Sequence, residues 1–279
     1  MKEKAYAKIN LFLDVLGKRL DHYHDLEMVM APLALHDVLT FELLEEDKIE
    51  LTESIKICDD PKENLVYKVA KFIKEQFSIP LGVKIHIEKN IPIAAGLAGG
   101  SADAAATLRG LNKLFKLKQS LEDLAKIGEI FGADIPYCIY NKLCIARGKG
   151  EDLFFLNKHL NLPVLIITPY IKVSTKEIFS IIKEEDIKPI KITNMTNAIY
   201  NKNKTLIYKE LYNALMPFTF RLFPEVEKLS EMISAHNPEG FLMSGSGPSF
   251  FIFTKNKTNL KEIESHFKES NFTLITKIK

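Results

Sequence analysis

Tryptophan is absent from the 279 residues, and cysteine is scarce, at three. So low and odd a count argues against the disulfide framework that staples small secreted domains. Cys138 and Cys144 are separated by five residues with no paired Cys or His beside them, so they make no zinc pattern. Apolar runs long enough to cross a bilayer are also missing, because charge or proline interrupts most of them. Neither sign of charge dominates. Lys and Arg number 38 against 36 Asp and Glu, for a formal net charge of +2, where a dedicated nucleic-acid binder shows a basic excess on one face. No signal-peptide pattern stands ahead of Ala5. The expectation is a reduced, cytoplasmic, soluble protein with no nucleic-acid and no membrane partner. What the chain does have is a core: 46 % of its residues are hydrophobic and 27 % charged, the balance of a globular protein.

The length suits two ordinary domains or one large α/β unit. Ala7, Ile9, Leu11, Leu13 and Val15 alternate with Lys8, Asn10, Phe12 and Asp14, the period of a half-buried strand. Residues 16–25 read as a loop, 38–43 and 49–57 as strands, and 64–77 as a helix. Val83, Ile85 and Ile87 mark another strand, which runs into a loop over 91–100 and an Ala-rich helix over 101–115. Ser120 and Asp123 form a capping pattern for a helix that Gly132 stops. After short strands at 143–146 and 153–156, a second set begins at Pro163: a strand, helices near 176–183, across 194–213 and over 223–234, strands 241–244 and 249–254, a helix 260–269 and a last strand. Residues 182–193, rich in Lys, Glu and Pro, read as a solvated connection, and no repeat or low-complexity tract interrupts the chain. A domain boundary near residue 156 is expected, dividing 1–156 from 157–279.

The most informative stretch is the run from Pro92 to Ala102. Its residues are Pro92, Ile93, Ala94, Ala95, Gly96, Leu97, Ala98, Gly99, Gly100, Ser101 and Ala102. A strand enters it and a helix leaves it. Small side chains let backbone N–H groups approach a polyanion, and a helix start adds open donors and the positive end of a dipole. Ser101 stands where it could cap that helix or offer its hydroxyl to a phosphate or Mg²⁺. The plainer alternative is a tight turn before a close-packed helix. Neither the P-loop G-x-x-x-x-G-K-[ST] nor a dinucleotide G-x-G-x-x-G occurs, so an ordinary P-loop enzyme and a nicotinamide dehydrogenase are both poorly supported.

Two further features carry chemistry. Alternation puts Lys8 and Asn10 on one strand face, either a solvent-facing edge or a functional pair. Asp134 follows Gly132-Ala133, as a turn residue or cap, or as a carboxylate that takes a hydroxyl proton during attack on a γ-phosphate. A nearby Lys would keep such an Asp ionised and stabilise the developing alkoxide.

The loop resembles the phosphate-binding motif of the galactokinase, homoserine kinase, mevalonate kinase and phosphomevalonate kinase superfamily, Pro-x-x-x-Gly-Leu-x-Gly-Gly-Ser-Ser/Ala-x-Ala. Ala7–Leu11 with Asp21–His24, Gly132–Pro136 and Leu242–Ser249 are similar to the motifs of its cytidine-dependent branch. They occur in the expected order, and the likeness runs from Ala5 to about Phe253. The resemblance implies an α+β, two-domain GHMP-kinase-like fold, with an N-terminal ATP-loop domain and a C-terminal ferredoxin-like domain. It implies ATP and Mg²⁺ as cofactors and a small-molecule acceptor, 4-diphosphocytidyl-2-C-methyl-D-erythritol, phosphorylated on its 2-hydroxyl. Lys8 and Asp134 would be the catalytic pair, and Asn10 would hold the erythritol part. Tyr23 would stack on the cytosine, His24 would read its edge, and Phe179 would be the second aromatic wall. Asn64 and Leu65, with Val66, would lie near the adenine. Gly245 would offer a backbone amide to the phosphorylated substrate. Other acceptors of the superfamily, or a catalytically silent ATP sensor, are the competing readings. The sequence departs from the family pattern twice. His22 stands where a Gly is common, which would strain the backbone if φ there is positive, and Ala98 replaces a Gly of the loop.

Overall fold

The computed structural model describes residues 1–279. In chain order its first elements are β1 (Lys2–Lys18), β2 (His24–Leu44), β3 (Ile49–Glu53), α1 (Leu65–Gln76) and β4 (Gly82–Glu88). Then come α2 (Gly99–Leu114), α3 (Leu121–Glu129), α4 (Ile135–Tyr140), β5 (Cys144–Gly148), β6 (Asp152–Phe155) and β7 (Pro163–Pro169). The helices α5 (Thr175–Ser180), α6 (Thr193–Tyr200) and α7 (Lys204–Lys209) precede β8 (Tyr212–Asn213), α8 (Met216–Leu222) and α9 (Pro224–Ser234). The chain ends with β9 (Gly240–Met243), β10 (Phe250–Phe253), α10 (Lys257–Phe267) and β11 (Asn271–Lys277). No helix is long and apolar enough to cross a membrane.

Two compact units form. The first comprises residues 1–7, 35–93 and 98–141, and the second 8–34, 94–97 and 142–279. Residues 157–279 thus fall wholly in the second, while 1–156 contribute to both.

In the first unit, β4 pairs antiparallel with the second half of β2, from Val38 opposite Glu88 to Leu44 opposite Gly82, and parallel with β3. Helix α2 packs against α1, α3 and α4. Its Ala102, Ala104, Ala105 and Ala106 are all buried, and such short side chains allow neighbours to approach closely. A Cβ on Gly110 would lie 2.6 Å from the Phe41 ring, so glycine is what lets the helix sit on β2.

In the second unit the first half of β2 pairs with β5, β5 with β6, and β1 with β8 in parallel through Phe12 and Leu13 opposite Tyr212 and Asn213. A separate four-stranded sheet has the order β11-β7-β10-β9, with every neighbouring pair antiparallel. With α5–α9 between β7 and β9, and α10 between β10 and β11, this is the ferredoxin-like arrangement that the resemblance implies. Its core holds Leu165, Ile167 and Phe250 from the sheet against Val226 and Ile233 of α9 and Ile263 and Phe267 of α10.

Three local expectations are corrected. The loop expected at 16–25 shrinks to the residues between β1 and β2, because both strands run further than alternation suggests. The Met28–Leu33 stretch of β2 goes unseen in the sequence because its side chains are all buried, so no polar residue marks a second face there. Helix α2 starts at Gly99 rather than Ser101.

Candidate active site

The glycine-rich loop uses left-handed backbone at alternate positions: φ is +53° at Ala94, +71° at Gly96 and +57° at Ala98. Ala98 is the N-cap of α2 and makes no side-chain cap. The first helical bond is from Ala102 N–H to the Ala98 carbonyl, at 2.8 Å. The amides of Gly99, Gly100 and Ser101 therefore precede any helical acceptor, the arrangement that takes phosphate oxygens. Ser101 sits in the first turn and not at the cap, so the capping role expected of it gives way. Its half-buried hydroxyl lies beside those amides in sequence. A polyphosphate fits this backbone.

In the second unit, β1 carries Lys8 and Asn10 inward. Lys8 is 5 % exposed and Asn10 fully buried, so the solvent-facing reading of the pair is excluded. Lys8 Nζ donates to Asn10 Oδ1 at 2.7 Å, and Asn10 Nδ2 lies 3.3 Å from Met28 Sδ on β2. The Lys8 amide bonds the Leu97 carbonyl at 3.1 Å, which ties β1 to the loop's Ala94–Leu97 segment.

The turn after β9 reaches the same place. A Cβ on Gly245 would lie 3.3 Å from the Gly96 carbonyl, 3.5 Å from Lys8 Nζ and 3.7 Å from Asn10 Oδ1. Ser244 Oγ donates to the Gly96 carbonyl at 3.0 Å. Lys8, Asn10, Gly96 and Gly245 thus form one cluster. Its supports are residues that sequence reasoning missed. Asn213 donates to the carbonyls of Met243 and Gly245, at 2.7 and 2.8 Å, and Thr219 donates to that of Ser246, at 3.1 Å. Asn213 is 3 % exposed and Thr219 fully buried. Two polar residues in apolar surroundings were the only signal available.

Next along the second unit is an aromatic corner. The His24 and Phe179 ring centroids are 5.2 Å apart, with planes inclined at 31°. His24 Nε2 is buried without a hydrogen-bond partner. Burial, and then Lys18, push the His24 pKa down, so the ring is neutral at physiological pH and offers one donor and one acceptor. Thr175 Oγ1 at the start of α5 lies 2.8 Å from Ser246 Oγ, which holds the Phe179 helix to the turn. Tyr23 is 59 % exposed, with Lys149 Nζ 5.2 Å from its ring centroid. It follows His22, whose φ of +66° confirms the strained position that replaces a common glycine.

Asp134, Asn64 and Leu65 belong to the first unit, as do both ends of the loop. Asp134 lies in a turn as the N-cap residue of α4, and its carboxylate does not cap that helix, so of the plainer readings the turn residue stands and the cap does not. Asn64 caps α1 through Oδ1, 2.8 Å from the Val66 amide, and its Nδ2 bonds Glu53. Its side chain is thus committed to structure, and Leu65 beside it is half-buried.

Comparison with known proteins decides the family. The N-terminal domain of GHMP kinases matches residues 64–142, and the C-terminal domain of GHMP kinases matches 195–272. The 4-diphosphocytidyl-2-C-methyl-D-erythritol kinase of Bacillus cereus (strain B4264) is 39 % identical over 265 residues, 95 % of this chain and 92 % of the relative. The chain belongs to the GHMP kinases. The enzyme of the same name from Bacillus mycoides (strain KBAB4) is also 39 % identical over 265 residues, with the same coverage. A crystal structure of 4-(cytidine 5'-diphospho)-2C-methyl-D-erythritol kinase superposes with a TM-score of 0.85 at 30 % identity, covering all of both chains. A GHMP kinase uses ATP, and the open amides at the start of α2 suit its phosphates. No group of three or more His, Cys, Asp or Glu could hold a metal ion.

Proposed function

We infer that this chain is an ATP-dependent kinase of 4-diphosphocytidyl-2-C-methyl-D-erythritol, acting in the non-mevalonate route to isoprenoid precursors. One observation carries the reading: identity of 39 % across 95 % of the chain with a kinase of that name. The aromatic corner with its unpartnered His24 nitrogen supports a nucleobase-bearing acceptor.

On this reading each residue has a task. The amides of Gly99, Gly100 and Ser101 hold phosphate oxygens. Asp134 accepts the proton of the 2-hydroxyl as that oxygen attacks the γ-phosphate. The Lys8 ammonium, oriented by Asn10, stabilises the oxyanion that forms. Asn10 also contacts the erythritol part. Gly245 brings a backbone amide to the transferred phosphate, and Asn213 and Thr219 fix its turn from behind. His24 reads the hydrogen-bonding edge of the cytosine, while Phe179 and Tyr23 supply ring faces. Asn64 and Leu65 lie at the adenine. Mg²⁺, when bound, neutralises phosphate charge, with the Ser101 hydroxyl as the one ligand offered by the loop.

The test is ADP release with ATP and Mg²⁺ against a panel of acceptors. Turnover should require the cytidine-linked acceptor, because a site built to hydrogen-bond a base leaves its own polar groups unpaired with homoserine or mevalonate. Equal turnover of all three would leave only the family assignment standing.

A further inference from the structure

Inside the first unit lies a buried ion cluster for which the chemistry above has no use. Lys89 follows β4, and its ammonium is 2.5 Å from Asp37 Oδ2 and 2.8 Å from Asp103 Oδ2. The three side chains are at most 3 % exposed. Asp37 lies on β2, and its other oxygen accepts the amides of Asn90, at 2.5 Å, and Ile91, at 2.8 Å. Those are the last two amides before Pro92. Asp103 lies on α2, just past the far end of the loop. A single ammonium therefore links the loop's entry to its exit. Gly99 rests on it: a Cβ there would lie 3.1 Å from Ile91 Cγ2 and 3.4 Å from Lys89 Nζ.

Stability alone does not account for such a cluster. Taking ionisable groups out of water is costly, and apolar replacement of buried ion groups is often neutral or stabilising. What ions do supply is direction, because each of these bonds has a fixed length and angle. Amides that must meet phosphate oxygens need their positions held within about 0.5 Å. We propose that Asp37, Lys89 and Asp103 are positioning residues that staple the two ends of the phosphate loop, so that the open amides of α2 face the nucleotide in one geometry. This rests on the reading of Pro92–Ala102 as the ATP site.

Charge adds a second consequence. Burial pushes the Asp103 carboxyl up to about 8; Lys89 opposes the rise and Asp37 adds to it. Its Oδ1 has no hydrogen-bond partner, which also suits a neutral acid. Near neutral pH a neutral Asp103 leaves the cluster with less negative charge beside a polyanion. Ionised Asp103 would add a negative charge four residues, or about 6 Å, along the helix from Gly99. ATP binding should therefore weaken as pH rises past about 8.

Calorimetric titration of the whole protein with ATP, and separately with the cytidine acceptor, tests this. The double variant Lys89→Met with Asp103→Leu removes the staple and keeps Asp37's two backbone bonds. Its Kd for ATP should rise at least about tenfold, since misplacements near 1 Å cost up to about a hundredfold. Its Kd for the acceptor should stay within about twofold, as for independent sites. An unchanged ATP Kd in the folded variant overturns the proposal. Asp103→Asn, the isostere of the neutral acid, should match wild type at neutral pH and lack its weakening toward alkaline pH. Should the double variant not fold, Asp103→Leu alone decides: an unchanged ATP Kd in that folded variant also overturns the proposal. Wild type that binds no ATP at all would sink the functional reading of the loop instead.

Discussion

Ala98 holds φ at +57° directly ahead of α2, a conformation that L-residues with a Cβ disfavour. The left-handed region costs such a residue roughly 1–2 kcal/mol. Glycine would avoid that cost but lose roughly 0.5–1 kcal/mol more chain entropy on folding. Ala98→Gly should thus raise the free energy of unfolding by up to about 1 kcal/mol, read from urea denaturation. A measured loss would mean that the Ala98 methyl makes packing contacts worth more than its strain. At Asp134 the expected effect is kinetic. Asn matches Asp in size and shape, so the substitution should be tolerated structurally. Loss of a positioned base typically costs roughly 10²–10⁴-fold. Asp134→Asn should lower kcat by that order and leave the Kd for ATP unchanged. A variant that keeps a tenth or more of wild-type kcat, measured at saturating substrates, would remove Asp134 from the role of base, since about 10² is the least such a loss costs.

How an element is placed decides whether such a residue points correctly. Helix α4 is set against α3 by Gly128, where a Cβ would come 2.6 Å from Ile135 Cγ2. At its other end Arg109 donates to the Cys138 carbonyl at 2.7 Å and to the Lys4 carbonyl at 2.8 Å. Gly128→Val should push Ile135, and Asp134 with it, out of position. The stability cost of overpacking is typically about 1–3 kcal/mol. The more telling readout is a fall in kcat at unchanged KM for ATP, and a variant that loses stability but keeps kcat would show that α4 shifts as harmlessly as a loop. Elements also set what could be read beforehand. β1, β4 and the Ser120-capped α3 were legible because their polar and apolar residues alternate with a clean period or carry a local cap. Short motifs likewise marked Lys8, Asn10, the loop, Asp134 and Gly245. Three features were not legible for one shared reason. The Met28–Leu33 stretch of β2 is buried without alternation, Asn213 acts on a turn thirty residues away, and Lys89 meets partners 52 and 14 residues distant. Their roles arise only from tertiary contact, which leaves no period in the sequence.

At the scale of the whole molecule, the two compact units are not successive stretches of chain. β1 passes from the first to the second at Ala7–Lys8, and β2 from the second to the first at Ala34–Leu35. The loop enters the second unit for Ala94–Leu97 and leaves it again. A strand is stabilised by hydrogen bonds along its length, so unravelling one half of β1 or β2 frays the other. Separate melting of the units would require those strands to break in the middle. One cooperative transition is therefore expected in calorimetry, despite the chain's size. Ligands provide the decisive version of the test. The amides assigned to ATP lie in the first unit, whereas His24 and Phe179, assigned to the cytosine, lie in the second. A ligand at a hundred times its Kd stabilises the folded state by about 2.7 kcal/mol. For chains of about 150–250 residues each kcal/mol moves Tm by about 2–4 °C. ATP and the cytidine acceptor should each raise the same single Tm, and their shifts should sum when both are present at independent sites. His24→Ala should erase most of the acceptor's shift and leave that of ATP intact. Two transitions, one moved only by ATP and the other only by the acceptor, would show that the shared strands do not couple the units.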